Sequence, residues 1–305
     1  MRKRLLEALV VTILVASTVA GCEGGGGSSC STLTILSTTE GEVFVMKAGT
    51  DTWGEGQSGT ELEEGDTIKT GEDSSAEITF FDGSTVELQP DTEVGITSLD
   101  RYCDTGVTTI TLEQIIGATI SRVINIVDPA SSYEVETSSG TAAVRGSILV
   151  FVVTGNGTAW VANQKGNIWT KAQGVELQVP EKRKCILRPL FEPQLLPPNL
   201  SPLAGNDTFT AYEHDPLEVP SPGLLFNDSD PDPWDLLLVT ELDTSGTVGA
   251  VTRWGPRGAF TYDPNGQFDY LQAGNSTTDS FIYTVSDACG DSATSAVTIT
   301  IYGVD

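Results

Sequence analysis

Apolar and polar residues alternate in short runs along most of this chain. In "AEITFFDGSTVEL" (residues 76–88), Ile78 and Phe80 share one face, as do Val86 and Leu88. That period of two predicts a half-buried antiparallel sheet. Between the two runs, Asp82-Gly83 can take the positive φ angles of a two-residue hairpin turn. "GSILVFVVTGNGTAWVA" (146–162) repeats the device around Asn156-Gly157. Its continuous apolar run predicts a strand buried on both faces. Leu112 to Ile124 is the one stretch compatible with a helix; Gly117 interrupts it, so the reading is two strands. Near the C-terminus, Phe281–Val285 and Ala296–Ile301 alternate with Thr and Ser between Pro-Asn-Gly and Asp-rich turns, the pattern of a small antiparallel sandwich. The expected fold class is all-β.

The N-terminus breaks the pattern. Arg2, Lys3 and Arg4 precede an apolar stretch from Leu5 to Val19 that only Glu7 and a few hydroxyls interrupt. A basic head followed by a short apolar run is an export signal, too short to span a bilayer as a helix of roughly twenty apolar residues. The run ends in Val19-Ala20-Gly21-Cys22, which resembles the lipobox of bacterial lipoproteins. The resemblance implies acylation of Cys22, cleavage before it, and a lipid-anchored, extracytoplasmic protein of the cell envelope. Gly24 to Ser29 then reads as a flexible tether. The expected divisions are a signal peptide (1–21), a Gly/Ser tether (22–31), a first β domain (32–187), a Pro-rich linker (188–202) and a second β domain (203–305). The linker, "RPLFEPQLLPPNLSP", holds five prolines and reads as an extended spacer.

Charge narrows the partners. The chain carries 42 acidic and 16 basic residues, and losing residues 1–21 would take the formal charge from −26 to −28. No basic stripe is available to release counterions from a polyanion, so nucleic acid is not an expected partner. The acidity fits a solvated extracytoplasmic surface or divalent-cation binding. After Cys22 four cysteines remain, Cys30, Cys103, Cys185 and Cys289, which could pair in three ways in an oxidising compartment. Cys103 with Cys185 is the preferred pair because both lie in the first folded region; Cys30 could join either, and free buried thiols are the alternative.

"EGEVFVMKAG", "LEEGDTIKTGEDSSAEITFFDGSTVELQPDTEVGI" and "YEVETSSGTAAVRGSILVFVV" together resemble the FecR-type domain over most of residues 40–153. The resemblance rests on the Gly65-Asp66 turn, the Asp82-Gly83-Ser84 hairpin and the Val144-Arg145-Gly146 element. It implies an antiparallel, non-enzymatic domain that senses or binds envelope partners. FecR-type regulators of sigma factors carry a cytoplasmic segment before a membrane helix, whereas only Met1 to Arg4 precede the apolar run here, so a direct anti-sigma role is not expected. Arg145 reads either as a ligand contact or, preferably, as a guanidinium satisfying strand-end carbonyls.

"AGNDTFTAYEHDPLEV", "GLLFNDSDPDPWDLLLV", "GAFTYDPNGQFDYL" and "TDSFIYTVSDACGDSATSAVTITI" resemble the cadherin-like, immunoglobulin-like modules of bacterial surface and adhesion proteins, over almost all of residues 203–304. In "NDSDPDPWD" (227–235), Asp228, Asp230, Asp232 and Asp235 crowd like charges that destabilise a fold unless water or a cation screens them. Calcium fits, since it takes six to eight hard oxygen ligands at flexible geometry. Asn206, Asp207, Asp279 and Asp287 lie in the corresponding Asp-rich turns of the resembled module and are further candidate ligands. An EF-hand is excluded, because the sixth position from Asp228 is Pro233 and the twelfth is Val239. The alternative is that these side chains merely cap turns.

Catalysis has little support. His214 is the one histidine, set between Glu213 and Asp215 with no nucleophile motif beside it, and no glycine-rich phosphate loop opens a helix. The expectation is a lipid-anchored binding, adhesion or scaffolding protein, not an enzyme, that recognises an envelope protein or polysaccharide. A FecR-type signal receptor acting through a separate membrane partner is the alternative.

Overall fold

The computed structural model describes residues 30–124, 126, 128–232, 235–253 and 255–304. The signal peptide, Cys22 and the tether up to residue 29 lie outside the described residues. The strands are β1 (Thr34–Glu40), β2 (Val43–Met46), β3 (Trp53–Glu55), β4 (Glu61–Leu62), β5 (Thr67–Thr70), β6 (Ser75–Thr79), β7 (Thr85–Leu88), β8 (Glu93–Arg101), β9 (Thr108–Arg122), β10 (Ser132–Thr137), β11 (Gly140–Val153), β12 (Ala159–Ala172), β13 (Val175–Val179), β14 (Arg183–Leu187) and β15 (Gln194–Leu195). These fifteen form one continuous sheet. A second unit follows with β16 (Asp207–Tyr212), β17 (Leu217–Val219), β18 (Leu238–Asp243), β19 (Ala250–Arg253), β20 (Phe260–Asp263), β21 (Ser276–Ser286) and β22 (Ser292–Tyr302), arranged as sheets β16-β22-β21-β18 and β17-β20-β19. Among the described residues the only helical turn is a 3₁₀ turn at Gly223–Leu225, and no helix is long and apolar enough to cross a membrane.

Alternation places the predicted residues inward: Ile78, Phe80, Val86 and Leu88 are at most 2% exposed, and Leu112, Val144, Leu149 and Phe151 join them in the core of the first unit. The second core joins both small sheets through Phe260, Tyr262, Phe281 and Tyr283, with Phe209, Phe260 and Phe281 in edge-to-face contact at 5.1 and 5.4 Å.

Local chemistry accounts for the turns, with one correction. Asp82-Gly83 does not make a two-residue turn. Phe80 N–H donates to Ser84 O (2.9 Å), leaving a three-residue loop in which Gly83 has φ 90° and Asp82 Oδ1 accepts from Ser84 N–H (2.8 Å). The Asn156-Gly157 loop repeats it, with Thr154 N–H on Thr158 O and Asn156 Oδ1 accepting from Thr158 N–H. Placing the one left-handed residue third, where glycine already stands, spares the aspartate or asparagine that conformation.

Leu112 to Ile124 is also not two strands. β9 runs unbroken through Gly117, whose φ of 92° kinks it where a Cβ would collide with Thr92. The kink exchanges partners. Before it β9 pairs with β8 and, in parallel, with β10; after it, with β7 and β11. The sheet is therefore antiparallel except at β9–β10, and β16–β22 is parallel as well. Gln114 stabilises the kink, its Nε2 donating to Gly117 O (2.8 Å) and Phe151 O (3.0 Å). Arg145 donates to Pro129 O at 3.0 Å, the carbonyl contact preferred on sequence grounds.

The predicted Cys103–Cys185 pair is not formed. Cys103 bonds Cys30, 73 residues away, while Cys185 and Cys289 are free and buried. The reason is strand alternation: Cys185 points into the core of the first unit, where it contacts Thr170 Oγ1 (3.5 Å). Burial pushes the Cys289 thiol up to about 12.

Candidate functional site

The two units are not held apart by the Pro-rich segment. β15 pairs with β14 through Cys185 and Leu195, and Leu196 N–H donates to Lys184 O (2.8 Å), so the first half of the segment lies on the first sheet. The second half reaches the other unit, where Asn199 Nδ2 donates to Asp287 (2.8 Å) and Asp291 (2.9 Å) and Leu200 N–H donates to Asp232 (2.9 Å). The segment is a strap, not a free spacer. Beneath it Ile120, Val150 and Ala162 on the outer face of β9, β11 and β12 pack against Leu238, Ala288 and Cys289. This is why the apolar run in β11 is continuous: Phe151 faces the first core and Val150 faces the second unit.

Lys184 anchors the seam. In β14, Cys185 turns inward, so Lys184 turns outward, yet its side chain is only 6% exposed. Its Nζ donates to Asp232 Oδ2 (3.0 Å) and to Asp235 Oδ2, and the Asp235 side chain is fully buried. Burial pulls the Lys184 pKa down, but the bonds to Asp235 and Asp232 outweigh it and hold the ammonium above its ordinary value. Asp235 Oδ1 accepts from Leu236 and Ala288 N–H, tying the turn before β18 to the turn after β21. Lys182 adds a contact with Asp291 (3.1 Å) and donates to Cys289 O (2.8 Å). Asp230, Asp235 and Asp287 each bring one carboxylate oxygen within 4.8 Å of the others. Burial pushes Asp230 up to about 6 and raises Asp287, and Asp230 Oδ2 is buried without a hydrogen-bond partner.

A second pair of carboxylates lies inside the sandwich. The Tyr283 hydroxyl, from the middle of β21, donates to Asp228 Oδ1 (2.9 Å) and lies 3.0 Å from Gly205 O. Asp207, at the start of β16, is 7% exposed, and burial pushes it up to about 6, with the Asp228 charge adding to the rise. Asp207 Oδ2 and Asp228 Oδ2 are both buried without a partner. These are hard oxygens open to a cation or a proton.

The predicted ligands therefore do not form one site. Asp230, Asp232, Asp235 and Asp287 meet at the seam, and Asp207 and Asp228 meet at Tyr283. Asp279 is elsewhere and fully used: it accepts from Val248, Gly249 and Ser280 N–H and from the Tyr262 hydroxyl (2.8 Å). Burial alone would raise its pKa, but those donors hold it below the usual carboxylate range. Asn206 Oδ1 accepts from Ser295 Oγ and Ala296 N–H within β22, just before that strand begins to pair with β16. Sequence reading missed Lys184, Lys182, Asn199 and Asp291. Only the in-out alternation of "RKCIL" signalled that Lys184 faces out of the first core. His214 is exposed and contacts two carboxylates, Glu213 (3.6 Å) and Asp269 (3.5 Å).

Residues 66–169 match the family model described as FecR protein, and residues 199–303 match that of the bacterial cadherin-like domain. No curated protein matches the chain. Among solved structures, an inferred anti-sigma factor from Parabacteroides distasonis aligns at 13% identity over 55% of this chain and 86% of that one, with a TM-score of 0.37. The human Desmocollin-1 ectodomain aligns at 8% identity over 87% of this chain and 55% of that one, with a TM-score of 0.25. The Bacteroides ovatus protein SGBP-B of a mixed-linkage glucan utilization locus, solved with a mixed-linkage heptasaccharide, aligns at 12% identity over 95% and 70%, with a TM-score of 0.16. None of these superpositions is close enough to carry function. The chain thus joins a FecR domain to a bacterial cadherin-like domain across a seam of acidic residues and Lys184.

Proposed function

We propose that this is a lipid-anchored, extracytoplasmic envelope protein that binds or scaffolds a protein or polysaccharide partner and catalyses nothing. The single observation carrying this reading is the seam: a buried lysine, a strap and an apolar patch fix two recognition modules to each other, the build of a stiff binding platform. Anchoring through Cys22 would hold that platform to the membrane. With a formal charge of −26, nucleic acid is not a partner. The match of residues 66–169 to the FecR family favours one second reading, a receptor that passes an envelope signal to a separate membrane protein.

The test is capture by the full chain, solubilised in detergent and immobilised, from solubilised source envelope with calcium or with chelator. Retention of polysaccharide or of a surface protein is expected. Retention of one inner-membrane protein and nothing else would establish the receptor reading instead.

Calcium is part of the proposal, as a stiffener of the outer module. Asp207 and Asp228, with their two open oxygens, fit a hard cation best; at the seam the Lys184 ammonium already occupies one oxygen each of Asp232 and Asp235. Asp207 and Asp230 prefer the neutral form in the fold, so the unfolded chain releases their protons near pH 4 and the folded chain near 6. Stability from these groups is greatest below that window and declines as the pH rises through it. In chelator, the melting temperature is therefore expected to rise as the pH falls from 7.5 to about 5. Calcium should raise it at pH 7.5 and do little at the lower pH, where protons hold the same oxygens. A calcium shift of equal size at both pH values would count against these carboxylates as ligands.

A further inference from the structure

Away from the seam, the outer face of β10, β11, β12 and β13 carries an open groove of about 610 Å³. Strand register lays its side chains out in two rows. In the first, Glu134, Ala143, Trp169 and Gln178 are successive partners across the four strands. The small Ala143 leaves a dip beside the half-buried Trp169 ring, with Glu134 as the far wall. In the second row, two residues along, Glu136, Thr141, Lys171 and Glu176 stand in the same order.

Among the described residues, no hydrogen bond, ion pair or ring contact occupies the side chains of Glu134, Glu136, Glu176, Lys171 or Trp169. The charged groups of the seam are tied to one another, and these are not. A half-buried aromatic face flanked by unengaged acceptors and one donor matches a ligand that offers apolar C–H on one side and hydroxyls around its rim. A pyranose does both: its C–H face lies on Trp169 while the glutamates accept hydroxyl hydrogens and Lys171 donates to ring or hydroxyl oxygens. A basic peptide fits less well, because Lys171 stands in the row between Thr141 and Glu176. An acidic sugar would meet three carboxylates.

We propose that this groove of the FecR domain binds a neutral oligosaccharide, with Trp169 as the stacking platform. The inference rests on the envelope-binding reading above and deepens it, since it names the ligand class and places the site in the first module.

The experiment is a glycan array probed with the full chain, followed by titration calorimetry with the best neutral hexose oligosaccharide and with a heptalysine peptide. Binding of at least one neutral oligosaccharide is expected. It should weaken roughly tenfold or more in Trp169→Ala, about 1.4 kcal/mol, and in Glu136→Gln, but not in Tyr212→Ala on the other module. Trp169→Phe should recover part of the loss, and an unchanged melting temperature shows that each variant is folded. The proposal is overturned if no neutral oligosaccharide binds at millimolar concentration, if binding survives Trp169→Ala, or if heptalysine alone binds. An array without binders alongside successful capture from envelope would sink the groove and leave the broader reading standing.

Discussion

Lys184→Met is expected to be the most damaging single substitution at the seam. It removes the cation that, among the described residues, is bonded to Asp232 and Asp235, whose side chains are 14% and 0% exposed, and leaves their charges facing each other out of water. Breaking a buried pair from one side costs about 3–5 kcal/mol, because the partner's desolvation is no longer compensated. The strap should loosen at the same time, since Leu200 N–H donates to Asp232, the carboxylate that Lys184 Nζ holds in place. Urea unfolding would give the stability and limited proteolysis between residues 188 and 202 the loosening. Adding Asp232→Asn and Asp235→Asn to Lys184→Met should restore much of the stability, because uncharged partners need no cation. A Lys184→Met protein within about 1 kcal/mol of the parent would mean that the pair is effectively solvated and the seam is held by other contacts.

The second large effect is expected at Val150, 1% exposed, which packs under Leu238, Ala288 and Cys289. Val150→Asp places a charge with no partner in that patch, at about 3–5 kcal/mol if the modules stay docked. Undocking avoids the cost. The expected result is two modules that still fold but move independently, seen as a larger radius of gyration in small-angle scattering and a strap open to protease. Val150→Ile, which keeps the patch apolar, should leave both readouts near the parent. If Val150→Asp instead unfolds the FecR domain while the particle stays compact, the outer face of β11 serves that domain's own stability and docking is secondary.

Local features were legible in advance because they depend on residues close in the chain. Alternation in 76–88 placed Ile78, Phe80, Val86 and Leu88 inward, and the Asx-Gly pairs in 76–88 and 146–162 marked both loops, though not their length. The run Leu149-Val150-Phe151 announced that β11 is buried on both faces, without saying that the cadherin-like domain covers one of them. Gly117 was visible as an interruption; that it turns a strand and does not end one depends on Thr92, 25 residues away, pressing against its backbone. The candidate calcium ligands were chosen by residue type, and type alone cannot distinguish Asp279, satisfied by four neighbours, from Asp207, with an oxygen left open.

By itself, then, the sequence determined the all-β class, the two recognisable modules, the faces of the clearly alternating strands and the excess of acid that calls for screening. Each follows from short-range pattern or from composition, which survive without knowing which segments meet. The tertiary structure alone decided that Cys103 pairs with Cys30, that Lys184 is the counter-ion of the seam, that the prolines form a strap, and that the aspartates divide between two sites. Those outcomes depend on which of many sterically possible neighbours the packed chain brings within a few ångströms, and separation along the chain does not encode it.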